Sequence, residues 1–144
     1  MSAAIANMTA AAKAAADVLP YEGAVGYRQK IYDAISGQKF PAQGPSWAYG
    51  AGYAKWKMAE VGHLRFWELY GDLKGSLRVF KIGTDWAGGV PPGAVSTRGE
   101  SISEYGERVE KKRPLFGPAA EQYADNEWKD MCVRALDLIG SHWK

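Results

Sequence analysis

Cysteine occurs once in this chain, at position 132, and histidine only twice, at 63 and 142. A lone cysteine excludes an intrachain disulfide framework, and three such residues far apart match no structural zinc spacing. A reducing compartment suits such a chain. Long apolar runs are also missing. The opening MSAAIANMTAAAKAAADVL is rich in alanine, but it lacks a basic leader and is interrupted by Asn7, Lys13 and Asp17. It reads as neither signal peptide nor membrane span. Charge of one sign is scarce as well: 18 Lys and Arg against 16 Asp and Glu leave a net charge of +2, without the clustered excess of a dedicated nucleic-acid binder. No Walker-type glycine loop is present, and YGAGY at 49–53 lacks the strand and third glycine of a dinucleotide site. The expectation is a protein with no cofactor and no bound metal.

What the chain has in surplus is aromatic surface. Six Trp and eight Tyr in 144 residues exceed what packing alone needs, so some should meet a partner. The length suits one domain, 1–144, with enough chain to bury a core. Periodicity divides it into a helical N-terminal segment (1–36), a loop, helix and sheet region (37–116) and a C-terminal helix (117–144).

Ile5, Met8, Ala12, Ala15 and Leu19 recur at helical spacing up to Pro20, predicting a first helix that the proline closes. Ala24, Tyr27, Ile31 and Ala34/Ile35 predict a second, stopped at Ser36-Gly37. GQKFPAQGPS (37–46) reads as a loop, after which Ser46 is placed to cap a helix carrying Trp47, Ala51, Ala54 and Met58 on one stripe and Tyr49, Tyr53 and Trp56 on another. Alternation of Leu73, Leu77 and Val79 predicts a strand over about Leu73–Ile82. The stretch Asp85–Ser101, with four glycines and Pro91-Pro92, reads as a long loop of the functional or disordered kind. Ser101-Ile-Ser-Glu104 has the capping-box pattern and predicts a short helix ended by Gly106. Gly117-Pro118 then opens an amphipathic helix with Ala120, Ala124, Trp128, Met131/Cys132, Ala135, Ile139 and Trp143 on one stripe. The fold class is therefore α+β: N-terminal helices, a small antiparallel sheet or hairpin, and a long C-terminal amphipathic helix.

Residues with catalytic chemistry do not assemble into a motif. Glu68 and Asp72 could be imagined as a glycosidase pair, but without a second supporting motif solvated carboxylates beside a strand are the better reading. Cys132 falls on the apolar stripe of the last helix, where a buried thiol is the common outcome. WAYGAGYAKWKM, with Trp47, Tyr53 and Trp56, could stack on sugar or single-stranded nucleic acid, or pack against the domain or a neighbour. EYGERVEKKRPLFGPA (104–119) mixes signs. Glu107, Arg108, Glu110, Lys111, Lys112 and Arg113 could pair head to tail with a second copy, or form a solvated turn. With Trp86 as the residue of the glycine-rich stretch able to dock, these ten positions are the interface candidates, and no catalytic residue is expected.

Several of these features occur in a familiar order. Pro41, Gly44 and Trp47 are followed by Tyr53 and Lys57, by Leu69-Tyr-Gly-Asp-Leu73 running into Ser76-Leu77, by Tyr105-Gly106-Glu107, and by Arg113-Pro-Leu-Phe-Gly-Pro-Ala119. In this the chain resembles the neck and tail-completion proteins of tailed bacteriophages, with Tyr70 where a small hydroxyl residue is usual. The resemblance implies a β-hairpin after Leu73, an Arg-Pro-Phe-type turn before the last helix, and a non-enzymatic virion protein assembled in the host cytoplasm. It further implies a six-fold or twelve-fold homo-oligomeric ring that meets portal, head-completion adaptor, tail terminator or tail-tube proteins. DNA would be only the content of the lumen, and no membrane would be involved. The residues themselves leave two other readings open, a small cell-wall hydrolase and an aromatic-surface binding module.

Overall fold

A computed structural model describes residues 3–39 and 47–141. The chain is α+β: α1 (Ala3–Gly37), α2 (Ala51–Val61), a one-turn α3 (Asp72–Gly75), a hairpin of β1 (Arg78–Ile82) and β2 (Asp85–Gly89), α4 (Ile102–Lys112), and a last helix in two parts, α5 (Phe116–Tyr123) and α6 (Lys129–Ser141). A π-helical turn, Ala124–Trp128, joins those parts.

The two expected N-terminal helices are one. Pro20 lies inside α1, although an interior proline removes a hydrogen bond and costs about 3 kcal/mol. Gly23 and Gly26 present a bare face to the last helix, and a Cβ on them would lie 2.7 Å from the Trp128 ring and 2.3 Å from the Tyr123 hydroxyl. The glycines that dilute the helical pattern are thus notches for two aromatic rings. Lys30 pairs with Glu127 at 2.7 Å just beyond them. From Tyr27 bonded to the Phe116 carbonyl, through Gly26 against Tyr123, to Gly23 against Trp128, positions descend α1 as they ascend the last helix, so the two run antiparallel.

At the other end Arg65 caps α1, donating to the Ser36 carbonyl at 2.6 Å and the Ile35 carbonyl at 3.2 Å, where a cation suits the helix dipole. The segment expected as a loop through 46 lies mostly outside the described residues, as do the Ser46 cap and the terminal His142, Trp143 and Lys144. The helix placed after Ser46 begins only at Ala51, and Trp47 precedes it.

Leu73 and Leu77 are both buried, but the strand starts later than expected. Residues four apart share a face in a helical turn as well as in a strand, and here Leu73 lies in α3 while pairing begins at Arg78. The register is Arg78↔Gly89 to Ile82↔Asp85, closed by the two-residue turn Gly83-Thr84. Five residues of the presumed glycine-rich loop are therefore strand. Gly88 is there for space: a Cβ would sit 2.3 Å from the Ala24 carbonyl oxygen, so the hairpin can lie on the α1 backbone. The rest of that stretch is held by local bonds, Ser96 N to Glu100 O at 2.8 Å and Ile102 N to Ala94 O at 3.0 Å, plus an isolated bridge of Val95 with Ser101.

Ser101 caps α4 through the Glu104 amide, as its sequence signature implies. The helix does not end at Gly106. That residue is buried beside the Phe116 ring and the helix continues to Lys112. The core gathers Ile31, Ala34, Ile35, Trp47, Trp67, Leu73, Leu77, Ile102, Leu115 and Ala119, so the C-terminal half of α1 is enclosed by the middle of the chain and by α5.

Candidate interaction surface

α2 owes its position to one residue. Its only fully buried side chain is Lys57, 2% exposed. The ammonium donates to the Tyr49 hydroxyl at 3.1 Å and to the Arg65 carbonyl, and lies 4.8 Å from the Tyr49 ring centroid. Burial, and then the neighbouring Arg113 guanidinium, push its pKa down to about 8 against an opposing pull from Glu68. At its other end α2 is tied through Glu60, which accepts from Tyr70 at 3.0 Å and Arg98 at 3.3 Å. Tyr53, Trp56 and Met58 of this helix are each more than two-fifths exposed.

Under α2 lies an aromatic nest. Trp47 meets Phe66 and Trp67 edge-on at 5.3 and 5.5 Å, and Tyr49 lies 5.0 Å from Tyr53, which lies 5.6 Å from Trp56. Trp67 is held at φ 60, a left-handed conformation that is costly for a bulky residue, while its indole N–H donates to the Arg113 carbonyl at 2.8 Å. Arg113 in turn donates to the Trp47 carbonyl at 2.8 Å and lies 4.1 Å over the Tyr49 ring. Burial pushes the Tyr105 phenol up to about 12.

The charged junction divides in two. Glu107, Arg108, Lys111 and Lys112 are exposed on α4, with Arg108 in an ion pair with Glu100. Glu110 and Arg113 do not project: both are bonded within the chain rather than set in a solvated turn. The Glu110 carboxylate accepts from the amides of Leu115, Phe116 and Gly117 at 2.7, 2.9 and 2.9 Å. It satisfies the free N–H groups that begin α5, where negative charge is favoured. Arg113 is committed to the nest. Prolines on both sides hold the intervening Leu115 in the core.

The other candidates separate likewise. Trp47 is buried, so Trp47, Tyr53 and Trp56 do not form an exposed row; Tyr53 and Trp56 alone are exposed. Trp86 is half-buried, edge-on to Tyr21 at 4.9 Å with the Lys81 ammonium 4.9 Å above it, and so belongs to the packing of hairpin on α1. Glu68 pairs with Arg65 and, at 3.9 Å, with Lys74. Asp72 accepts from Thr97 at 3.4 Å. A partly enclosed cleft between Trp67–Leu73 and Ser96–Tyr105 measures about 130 Å³, smaller than four more open surface grooves of about 330 to 540 Å³. Among the described residues no three of His, Cys, Asp and Glu are grouped to hold a metal ion, and no helix is long and apolar enough to cross a membrane.

Sequence reasoning missed the apolar girth of α6. Met131, Cys132, Ala135 and Ile139 are half-buried toward α1, while Val133, Leu136 and Leu138 are 48%, 67% and 62% exposed. At about 100° per residue these positions cover most of the helix circumference, more than one partner helix can bury. The amphipathic signal was visible, but the residues flanking the stripe were the informative ones. Comparison with protein-family models, curated proteins and solved structures finds no match for this chain.

Proposed function

We propose that this chain is a structural protein of a tailed bacteriophage, assembling as a ring in the neck that joins head to tail or completes the tail. The observation that carries the assembly part is the apolar helical surface left exposed among the described residues. α2 spends its one buried position on a lysine while Tyr53, Trp56 and Met58 stay more than two-fifths exposed, and α6 is apolar on most sides with no fully buried residue. Clustered exposed apolar side chains on a helix mark sites of protein association. The neck assignment rests on the sequence resemblance. It is supported by a hairpin following Leu69–Leu73 and by the Arg113–Pro118 turn opening the last helix.

Glu68 and Asp72 have no step to perform in this reading, so Glu68→Gln and Asp72→Asn should leave particle assembly intact. The test is native mass spectrometry of the purified chain at high concentration, with a parallel search for it in purified virions. A defined oligomer and presence in virions are expected. A monomer absent from virions overturns the reading, and lytic activity lost in either carboxylate variant would favour a cell-wall hydrolase. The exposed Tyr53–Trp56 pair favours a second reading, an aromatic platform for sugar or single-stranded nucleic acid; a monomer that binds either polymer and loses it on Trp56→Ala would establish it.

A further inference from the structure

α1, the hairpin and the last helix meet at an open groove of about 530 Å³. Aromatic rings from all three line it: Tyr27 of α1, Trp86 of β2, Tyr123 at the end of α5 and Trp128 of the π-helical turn. On an uninterrupted α-helix, at about 100° per residue, positions 123 and 128 would point about 140° apart. The π turn brings them to one side instead, their ring centroids 6.4 Å apart, and such turns frequently mark functional sites. Gly23 and Gly26 leave room for both rings. The other two rings are held as well. The Tyr27 hydroxyl donates to the Phe116 carbonyl at 2.9 Å and its ring lies 6.3 Å from that of Tyr123, while Trp86 is edge-on to Tyr21. The rest of the lining is Pro20, small residues and one carboxylate, Asp85. Among the described residues no basic side chain lines the groove, and Asp85, which is exposed, has no ion-pair partner.

We propose that this groove binds a small quaternary ammonium compound of the choline type, its methyl groups against Tyr27, Trp86, Tyr123 and Trp128 and its charge near Asp85. Ring faces carry negative potential, and several of them beside an unpaired carboxylate attract a cation. Lys81, which is not part of the lining, already holds its ammonium 4.9 Å from the Trp86 centroid. Within the groove the lining has little with which to replace the hydration of a bare metal ion or a primary amine, and stripping that hydration without replacement is costly. A quaternary ammonium has no N–H to satisfy and presents methyl groups to the rings. A neutral apolar occupant would make no use of Asp85. The site lies within one chain, so it is present whether or not copies assemble.

The experiment is a titration of the full chain with tetramethylammonium chloride and with choline chloride at constant ionic strength, followed through the indole N–H signals by heteronuclear NMR. The Trp86 and Trp128 signals should shift saturably while those of Trp47 and Trp67 stay in place. The neutral carbon analogue of choline, with a tert-butyl group where choline has trimethylammonium, should bind at least about tenfold more weakly. Trp86→Leu and Trp128→Leu keep apolar bulk but remove a ring face, and each should lower affinity at least about fivefold. Asp85→Asn, at an exposed position, should lower it about threefold with the thermal melt unchanged. Because Trp128 also packs on Gly23, Trp86→Leu and Asp85→Asn decide if Trp128→Leu loosens the fold. Absence of saturable shifts, equal affinity for the carbon analogue, or wild-type binding by both Trp86→Leu and Asp85→Asn overturns the proposal.

Discussion

The two ends of α1 live in different environments. From Ala24 onward its inward positions are buried, with Ile31 and Ile35 fully enclosed, whereas no described position before Ala24 is buried and none in its partner α6 is either. One end belongs to a core assembled from five separate stretches of chain; the other is a two-helix arm that buries only half of each apolar residue. Isolated helices owe most of their stability to tertiary packing. The arm therefore draws its order from continuity with the core through α1, and from whatever covers its outer side. The contrast teaches where the molecule is finished and where it is not.

The sharpest way to break the contrast is to cut the same amount from each end. Leu115→Ala, at a fully enclosed site, should cost about 4 kcal/mol, while Ile139→Ala on α6 should cost about 1 kcal/mol in the unassembled chain. Chemical denaturation of both variants checks this, and equal losses would abolish the distinction between core and arm. Gly88→Ala tests the seam between hairpin and helix. With the α1 backbone at Ala24 and Arg28 in the way of the new methyl group, the variant should lose about 3 kcal/mol.

Glu110→Gln removes the charge that gathers three amides at the start of α5, and should cost about 2 kcal/mol by denaturant midpoint. It should do so without altering the exposed charges of α4.

Lys57 makes the core end pH-sensitive in an unusual direction. Its folded pKa, about 8, lies below the ordinary 10.5, so between those values the unfolded chain holds a proton that the folded chain has released, and stability rises with pH. Tyr27 and Tyr105, pushed up to about 12 mainly by burial, act oppositely above their ordinary value of 10.0, where the unfolded chain deprotonates first and stability falls. Melting temperature should therefore climb between about pH 8 and pH 10 by the equivalent of about 2 kcal/mol, a partial yield of the Lys57 shift, and turn down above that. Lys57→Met should abolish the climb. The smallest effect is a gain: Gly106→Ala should stabilise α4 by about 0.5 kcal/mol, because a methyl there meets Phe116 at an ordinary 3.5 Å.

Reading the sequence alone recovers the residues that repeat at one period within one element. The inward face of α1 from Ala24 to Ile35, the Ser101 cap and the half-buried stripe of α6 are of that kind. It fails where a residue's reason lies in a distant segment. Gly23, Gly26 and Gly88 look like helix and strand breakers until the Trp128 ring, the Tyr123 ring and the α1 backbone are placed against them. Glu110 and Arg113 look like surface charge until the amides of α5 and the carbonyl of Trp47 supply their partners. Of the ten interface candidates, those placed on α2 and on the outer side of α4 are exposed, while Trp47 and Trp86 turn inward because ring neighbours from elsewhere claim them.

The π-helical turn at Ala124–Trp128 sets the phase of everything after it. Such a turn holds about one residue more than the α-helical turn it replaces. Were the same residues wound as an uninterrupted α-helix, every position after the turn would be rotated by about 100°. The stripe of Met131, Ala135 and Ile139 would swing away from α1, and a different set of side chains would face it. The sequence would be unchanged and the helix no less helical, yet the molecule would present a different outer face. One inserted residue thus acts as a rotary setting, fixing which side of the arm is kept for itself and which is offered outward.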